Sequence, residues 1–213
     1  HRAGKADDSA LELATAAGKI YPDAAITAIV TGAGADLDAV CHEVAKSYQE
    51  VWKFDHDALA YPNAEAIRKL LVAVLPQDAV LLAAHDTFGM DLCPGLSIKL
   101  DAVFAADIVD IEGLEGNILN VIRQEYSGQV STHVTCDIVN GAVLNVRPGV
   151  FQPDESDNAG GQVIDKSSEV PDLSAGRRFL EIVEAEVGDV RGSRAVHDDV
   201  TGLQVAVDHT LVV

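Results

Sequence analysis

The chain is 213 residues long, with 48% hydrophobic and 23% charged residues, a composition typical of a globular protein. Acidic residues outnumber basic ones by 34 to 15, and the resulting formal charge of −19 opposes binding to the phosphate backbone of nucleic acids. No apolar run approaches the roughly 20 residues that a membrane-spanning helix needs, so we expect neither a nucleic-acid partner nor membrane insertion.

The first half of the chain alternates between helical and strand-like patterns. Apolar residues at spacings of three and four predict helices, and β-branched apolar runs predict buried strands. The helices are predicted over residues 9–17, 36–47, 63–75 and 90–100, and the strands over residues 25–31, 51–54 and 80–84. Because strands that alternate with helices need crossover connections, we expect an α/β fold with a mostly parallel, doubly wound sheet and helices on both faces.

The second half is predicted to add short antiparallel strands, because Asn140 and Gly141 form a strong hairpin signal. These strands are predicted over residues 105–111, 118–125, 130–138 and 142–146. Residues 152–172 are acidic and rich in Gly, Ser and Pro, which indicates a flexible surface loop. The apolar runs near the end of the chain, LQVAV and HTLVV, are expected to join a sheet, since an unpaired apolar strand promotes aggregation.

Few residues form patterns associated with catalysis or metal binding. Cys41, Cys93 and Cys136 lie far apart in sequence, so we expect free thiols rather than a disulfide framework. Neither a nucleophile elbow nor an acid and base pair of carboxylates is apparent. His197 and Asp198 are adjacent, and adjacent residues on a strand point to opposite faces, which suits a metal poorly. The sequence therefore predicts no catalytic residue and no metal site.

Two strand ends are candidates for a binding site. Gly32 and Gly34 join a strand to a helix, where backbone N–H groups meet phosphates in nucleotide-binding proteins. The turn lacks the third glycine of a dinucleotide fingerprint and the Lys-Ser/Thr of a P-loop, so a tight turn and a nucleotide site both stay open. His85 and Asp86 follow a buried strand at the edge where open α/β sheets bind ligands, and Asp86 also suits a helix cap.

Several segments, in order, resemble the electron-transfer flavoprotein α subunit family. One is AVLLAAHDTFGMDLCPGLSIKLDAVFAADIVDIE, which is similar to that family's strand, Gly-x-Asp-Leu-Ala-Pro helix and following short strand. The family's Arg-x-x-Tyr-x-Gly segment is similar to VIRQEYSGQVSTHV, and its VRPG strand end to VLNVRPGVF. Its first loop and helix resemble HRAGKADDSALELATAAGKI, and its second strand resembles ITAIVTGAGA. The resemblance extends over about residues 1–190.

The resemblance implies an adenine nucleotide α-hydrolase-like fold and a protein that carries electrons through FAD between dehydrogenases and a downstream acceptor. It implies a heterodimer with an electron-transfer flavoprotein β subunit, and a carrier rather than a catalyst. A location in the cytoplasm, or in the mitochondrial matrix of a eukaryote, follows from the same resemblance. The alternative is a flavin-free AMP- or ATP-binding or regulatory module that uses Gly32 and Gly34 on the same scaffold.

The resemblance also defines the expected domains. The family's flavin-binding domain has a Gly-rich loop and a Gln-Val-Gly-Gln run that have no counterpart in this sequence, so we expect that domain to be largely absent. Residues 1–151, extended to about residue 190 by an arm and a helix, are expected to form the N-terminal domain. Residues 189–213 are expected to be a remnant of the FAD-domain edge or a strand that completes the sheet. Within them, Ser193 and Arg194 resemble a Gly-x-Ser-Arg motif at the flavin, which implies that they bind FAD.

Overall fold

A computed structural model describes residues 5–153, 160–173, 203–207 and 211–212. Its helices are α1 (Asp8–Ile20), α2 (Asp36–Val44), α3 (Ala64–Val74) and α4 (Thr87–Leu100), with short 3-10 turns at Asp57–Leu59 and Ser167–Glu169. The first strands are β1 (Ile26–Gly32), β2 (Glu50–Asp55), β3 (Val80–Ala84), β4 (Val103–Glu115) and β5 (Ile118–Glu125). The others are β6 (Val130–Asp137), β7 (Ala142–Val146), β8 (Gln162–Asp165), β9 (Leu203–Val207) and β10 (Leu211–Val212).

The described strands form one sheet in the order β6-β5-β4-β7-β3-β10-β9-β1-β2-β8. The pairs β1–β2, β2–β8, β3–β7 and β4–β7 are parallel, and helix α2 makes the crossover between β1 and β2. The pairs β4–β5 and β5–β6 are antiparallel and extend the sheet as a three-stranded arm. The predicted α/β class, with a parallel sheet flanked by helices and short antiparallel strands in the second half, is confirmed.

Apolar residues bury both faces of the sheet, and each face has its own pair of helices. On one face, Leu13 of α1 and Val40 of α2 pack with Val30 of β1. On the other, Ile67 of α3 and Leu96 of α4 pack against the sheet in a second cluster. Because alternate residues of a strand point to opposite faces, a single buried strand supplies side chains to both clusters.

Two short strands near the end of the sequence lie between β1 and β3. β9 pairs antiparallel with β1 from Ile26 opposite Val207 to Val30 opposite Leu203. β10 pairs parallel with β3 through Leu211 and with β1 through Val212, and it pairs antiparallel with β9. The backbones of two interior strands are thus joined through β9 and β10. The interpretation of residues 189–213 as a remnant of the FAD-domain edge or as a strand that completes the sheet stays a prediction, because most of them lie outside the described residues.

Caps explain where the helices begin, and they correct some predicted bounds. The side chain of Asp86 accepts a hydrogen bond from the Gly89 amide at 2.7 Å, so α4 begins at Thr87 rather than near residue 90. Helix α1 does not end at Gly18 but continues to Ile20, whose side chain is buried in the core. Burial of that last turn stabilises the helix more than the glycine weakens it.

The region 152–172, expected to be a flexible loop, contains the strand β8. Its backbone pairs in register with β2, from Glu50 opposite Gln162 to Lys53 opposite Asp165. The amide of Gly161 donates to the carbonyl oxygen of Ala45 at 2.8 Å and fixes the entry to the strand. Pairing with β2 supplies an order that the short local sequence does not predict.

Candidate functional site

The candidate site lies at the carboxyl edge of the sheet, where the parallel strands β3 and β7 end side by side. The amide of His85, just beyond β3, donates to the carbonyl oxygen of Val146 at 2.7 Å. Arg147 follows β7 and donates its amide to Ile108 of β4 at 2.9 Å. Three segments that are distant in sequence therefore meet at the edge where open α/β sheets bind their ligands.

An ion pair between Arg147 and Asp107 forms the centre of this cluster. Arg147 donates from Nε to one carboxylate oxygen of Asp107 at 2.8 Å and from Nη2 to the other at 2.7 Å. Hydrogen bonding from Arg147 holds the pKa of Asp107 below its usual value. Two parallel bonds of this kind fix both the distance and the orientation of the two groups.

Asp107 sits at an irregular point of β4. Its φ is +59°, in the left-handed region that non-glycine residues rarely adopt, and the pairing of β4 with β7 shifts register between Ala105 and Ile108. At this bulge β4 leaves β7 and continues into the antiparallel arm. The ion pair with Arg147 therefore holds the corner between the parallel sheet and the arm.

Further polar groups surround this pair. His85 Nε2 lies 3.9 Å from the Asp107 carboxylate, and the charge of Arg123 also lowers the Asp107 pKa. Asn145 is fully buried, and neither end of its amide has a partner among the described residues. Nδ1 of His85 and Nε of Arg123 are buried and likewise make no hydrogen bond within the described part of the chain, although Arg123 Nε lies 3.8 Å from the Glu125 carboxylate. The cluster thus retains hydrogen-bonding capacity for a further polar group.

Carboxylates border the turn that contains Gly32 and Gly34. Gly34 has φ +98°, which a residue with a side chain rarely adopts, and its amide donates to the Asp55 carboxylate at 3.2 Å. Asp36 and Asp38 stand in the first turn of α2, so three carboxylates border this turn and oppose an anion there. Nucleotide binding at Gly32 and Gly34 stays a prediction.

A second charged cluster, not predicted from the sequence, ties β8 to the sheet. The ammonium of Lys53 pairs with Asp38 at 3.0 Å and with Asp165 at 2.8 Å. The Ser167 hydroxyl donates to Asp165 at 2.6 Å and accepts from the Asp55 amide at 2.9 Å. Hydrogen bonds from Lys53 and Ser167 lower the pKa of Asp165. The ion pairs join residues 15 and 112 positions apart, so only the fold brings them together.

Three other findings bear on the predicted sites. Ser193 and Arg194, the residues expected at FAD, lie outside the described residues. Within residues 5–153 and 160–173, His, Cys, Asp and Glu side chains form no group of three that could hold a metal ion. A search of the described helices finds none that is both long and apolar enough to cross a membrane.

Comparison with known proteins gives a consistent result. The family model described as "Electron transfer flavoprotein domain" matches residues 1–171. An electron transfer flavoprotein subunit alpha from Megasphaera elsdenii is 25% identical over 157 residues, covering 71% of this chain and 46% of that protein. The mitochondrial electron transfer flavoprotein subunit alpha of Arabidopsis thaliana is 26% identical over 156 residues, which is 71% of this chain and 42% of the relative.

A third relative carries a different name. Protein FixB of Clostridium saccharobutylicum is 22% identical over 157 residues, covering 72% of this chain and 47% of its own length. In each of the three comparisons, the matched region is less than half of the relative.

Proposed function

The chain belongs to the electron transfer flavoprotein domain family, and we propose that it works as the N-terminal scaffold of an electron-transfer flavoprotein α subunit. The observation that carries this proposal is the family match over residues 1–171, which spans the parallel sheet, the arm and β8. The names of the relatives add that the likeness is to α subunits and to FixB.

The proposed partner is an electron-transfer flavoprotein β subunit. The cluster around Arg147 and Asp107 supports a scaffold role, since it fixes the corner at which the arm leaves the sheet. A scaffold of this kind offers a partner a surface of fixed shape, which reduces the entropy lost on association. The proposed heterodimer carries electrons between dehydrogenases and a downstream acceptor, in the cytoplasm or the mitochondrial matrix.

FAD is the proposed electron carrier. Bound flavin supplies the redox chemistry, and the protein supplies binding, orientation and electrostatics. Ser193 and Arg194 are the residues of this chain proposed to contact it, and the positive charge of Arg194 would stabilise a reduced, anionic flavin. The nucleotide-binding alternative has less support, because Asp55 already accepts the hydrogen bond of the Gly34 amide.

A visible absorption spectrum of the 213-residue chain, co-purified with a β subunit from the same genome, tests this proposal. We expect the two absorption bands of oxidised flavin and their bleaching by dithionite. Arg194→Ala should reduce flavin retention, whereas Arg191→Ala, a change of the same type three residues upstream, should not. A colourless complex, or a colourless chain that binds AMP, would overturn the proposal.

A further inference from the structure

A groove of about 600 Å³ opens at the amino edge of the sheet, opposite the candidate site. Its walls come from the last turns of α3 and α4 and from the turns that lead into β3 and β7. The family resemblance assigns no role to this groove, and the inference drawn from it does not depend on flavin or on the heterodimer.

The groove carries a net negative charge. Asp78 and Asp101 line it as exposed carboxylates, and Lys99 is the basic side chain among its lining residues. The carboxyl ends of α3 and α4 also border it, at Leu75 and Asp101, and each adds about half a negative charge. Together these groups leave the groove with a net charge of about −2.

Apolar side chains flank the charged groups. Val139 is 57% exposed and Val72 is 38% exposed, and both line the groove. Leu75 and Leu100 add apolar surface from the ends of the two helices. A hydrated metal ion or small inorganic cation gains nothing from contact with apolar side chains. A long basic side chain, by contrast, packs its methylene stem on apolar surface and keeps its charged head near carboxylates.

The groove is held in a fixed shape. The amide of Val139 donates to the Asp137 carboxylate at 3.1 Å, and the amide of Gly141 donates to Ile138 at 2.9 Å. The amide of Ala142 donates to the carbonyl oxygen of Ala79 at 3.0 Å, which joins the turn to the start of β3. A site that is already ordered loses little conformational entropy on binding.

We infer that this groove binds a lysine or arginine side chain of a partner protein. The methylene stem of that side chain lies against Val72 and Val139, and its cationic head lies between the carboxylates of Asp78 and Asp101. The carbonyl groups in the last turns of α3 and α4, which a helix leaves without partners, accept further hydrogen bonds from the same head group.

The probe for the test is the peptide acetyl-Ala-Leu-Lys-Leu-Ala-amide, titrated into the isotopically labelled 213-residue chain and followed by NMR. We expect amide shifts confined to residues 72–79, 98–101 and 138–141. Replacing the peptide lysine by norleucine, which keeps the stem and removes the charge, should weaken binding about fivefold or more. Added salt should weaken binding of the lysine peptide as well, because exposed charges are screened.

Variants of the chain complete the test. Asp78→Asn combined with Asp101→Asn should raise the Kd about fivefold or more, and Asn at position 101 tolerates the left-handed backbone that Asp101 adopts. Asp91→Asn, at the other end of α4, is the matched control and should leave the Kd unchanged. Lys99→Gln should tighten binding. Equal binding of the norleucine peptide, or shifts away from the groove, would overturn the inference; circular dichroism confirms that each variant is folded.

Discussion

Arg147, just beyond β7, holds Asp107 of β4 by two hydrogen bonds of 2.8 and 2.7 Å, although the two residues are 40 positions apart. Asp107 has a positive φ and marks the point where β4 departs from its partner strand. This pair therefore connects the parallel sheet to the antiparallel arm and stabilises a backbone conformation that the chain would otherwise avoid.

Arg147→Ala should destabilise the protein by about 2 kcal/mol, because it removes two charge-assisted hydrogen bonds from a half-buried carboxylate. Arg147→Lys retains the positive charge but cannot make the two parallel hydrogen bonds, so it should lower the free energy of unfolding by less than the alanine variant does. Urea unfolding followed by circular dichroism measures both. An unfolding midpoint of the alanine variant equal to that of the unaltered chain would show that the ion pair does not stabilise the corner between the parallel sheet and the arm.

The Lys53 and Asp165 pair predicts a dependence of stability on pH. The pKa of Asp165 in the folded protein is lowered, chiefly by the hydrogen bond from Lys53. The stabilisation is therefore present above the unfolded pKa of about 3.9 and is lost as the pH falls through the folded pKa. The difference in unfolding free energy between the unaltered chain and Asp165→Asn should stay constant from about pH 7 to about pH 5 and shrink as the pH is lowered further, to about pH 2.

The control for that measurement is Asp23→Asn, which changes another exposed aspartate. Its unfolding free energy should stay close to that of the unaltered chain across the same pH range. A constant difference for Asp165→Asn throughout the titration would mean that the ion pair does not act through the carboxylate's charge.

Two glycine-to-alanine changes in helices should have opposite effects. A Cβ on Gly89 would overlap the carbonyl oxygen of Ala84 and lie 3.0 Å from Nδ2 of Asn145, so Gly89→Ala should destabilise by about 1–3 kcal/mol. No heavy atom lies within 4 Å of a Cβ built on Gly18, so Gly18→Ala should stabilise by about 0.5–1 kcal/mol. Thermal unfolding of the two variants compares them directly, and destabilisation by Gly18→Ala would contradict the continuous helix α1.

Local patterns predicted much of the fold. Strand β3 has the predicted bounds of 80–84, and α3 lies within one residue of the predicted 63–75 at each end. These elements have apolar residues at a clear period, a capping residue such as Asn63, or a terminating Pro76. The strands of the second half were also predicted close to their observed bounds, as for β5 and β7. The hairpin expected at Asn140 and Gly141 was wrong, because β6 pairs with β5 whereas β7 pairs parallel with β3 and β4.

Contacts between distant residues could not be predicted in the same way. Strand β8 has four residues, and its order comes from backbone pairing with β2, more than a hundred residues earlier. Arg147 lies in the VRPG segment that resembles the family's strand end, but nothing in the sequence marks Asp107 as its partner, since their pairing depends on the register between β4 and β7. For the predicted site residues, the structure shows a turn at Gly34 bordered by carboxylates, while Ser193 and Arg194 lie outside the described residues.

Native mass spectrometry of the 213-residue chain, co-expressed with an electron-transfer flavoprotein β subunit from the same genome, tests the proposed function most directly. The expected result is a complex with one copy of each chain, with the added mass of non-covalently bound FAD. Detection of the two chains as separate species, with no flavin mass on either, would contradict the proposed role as an electron-transfer flavoprotein scaffold.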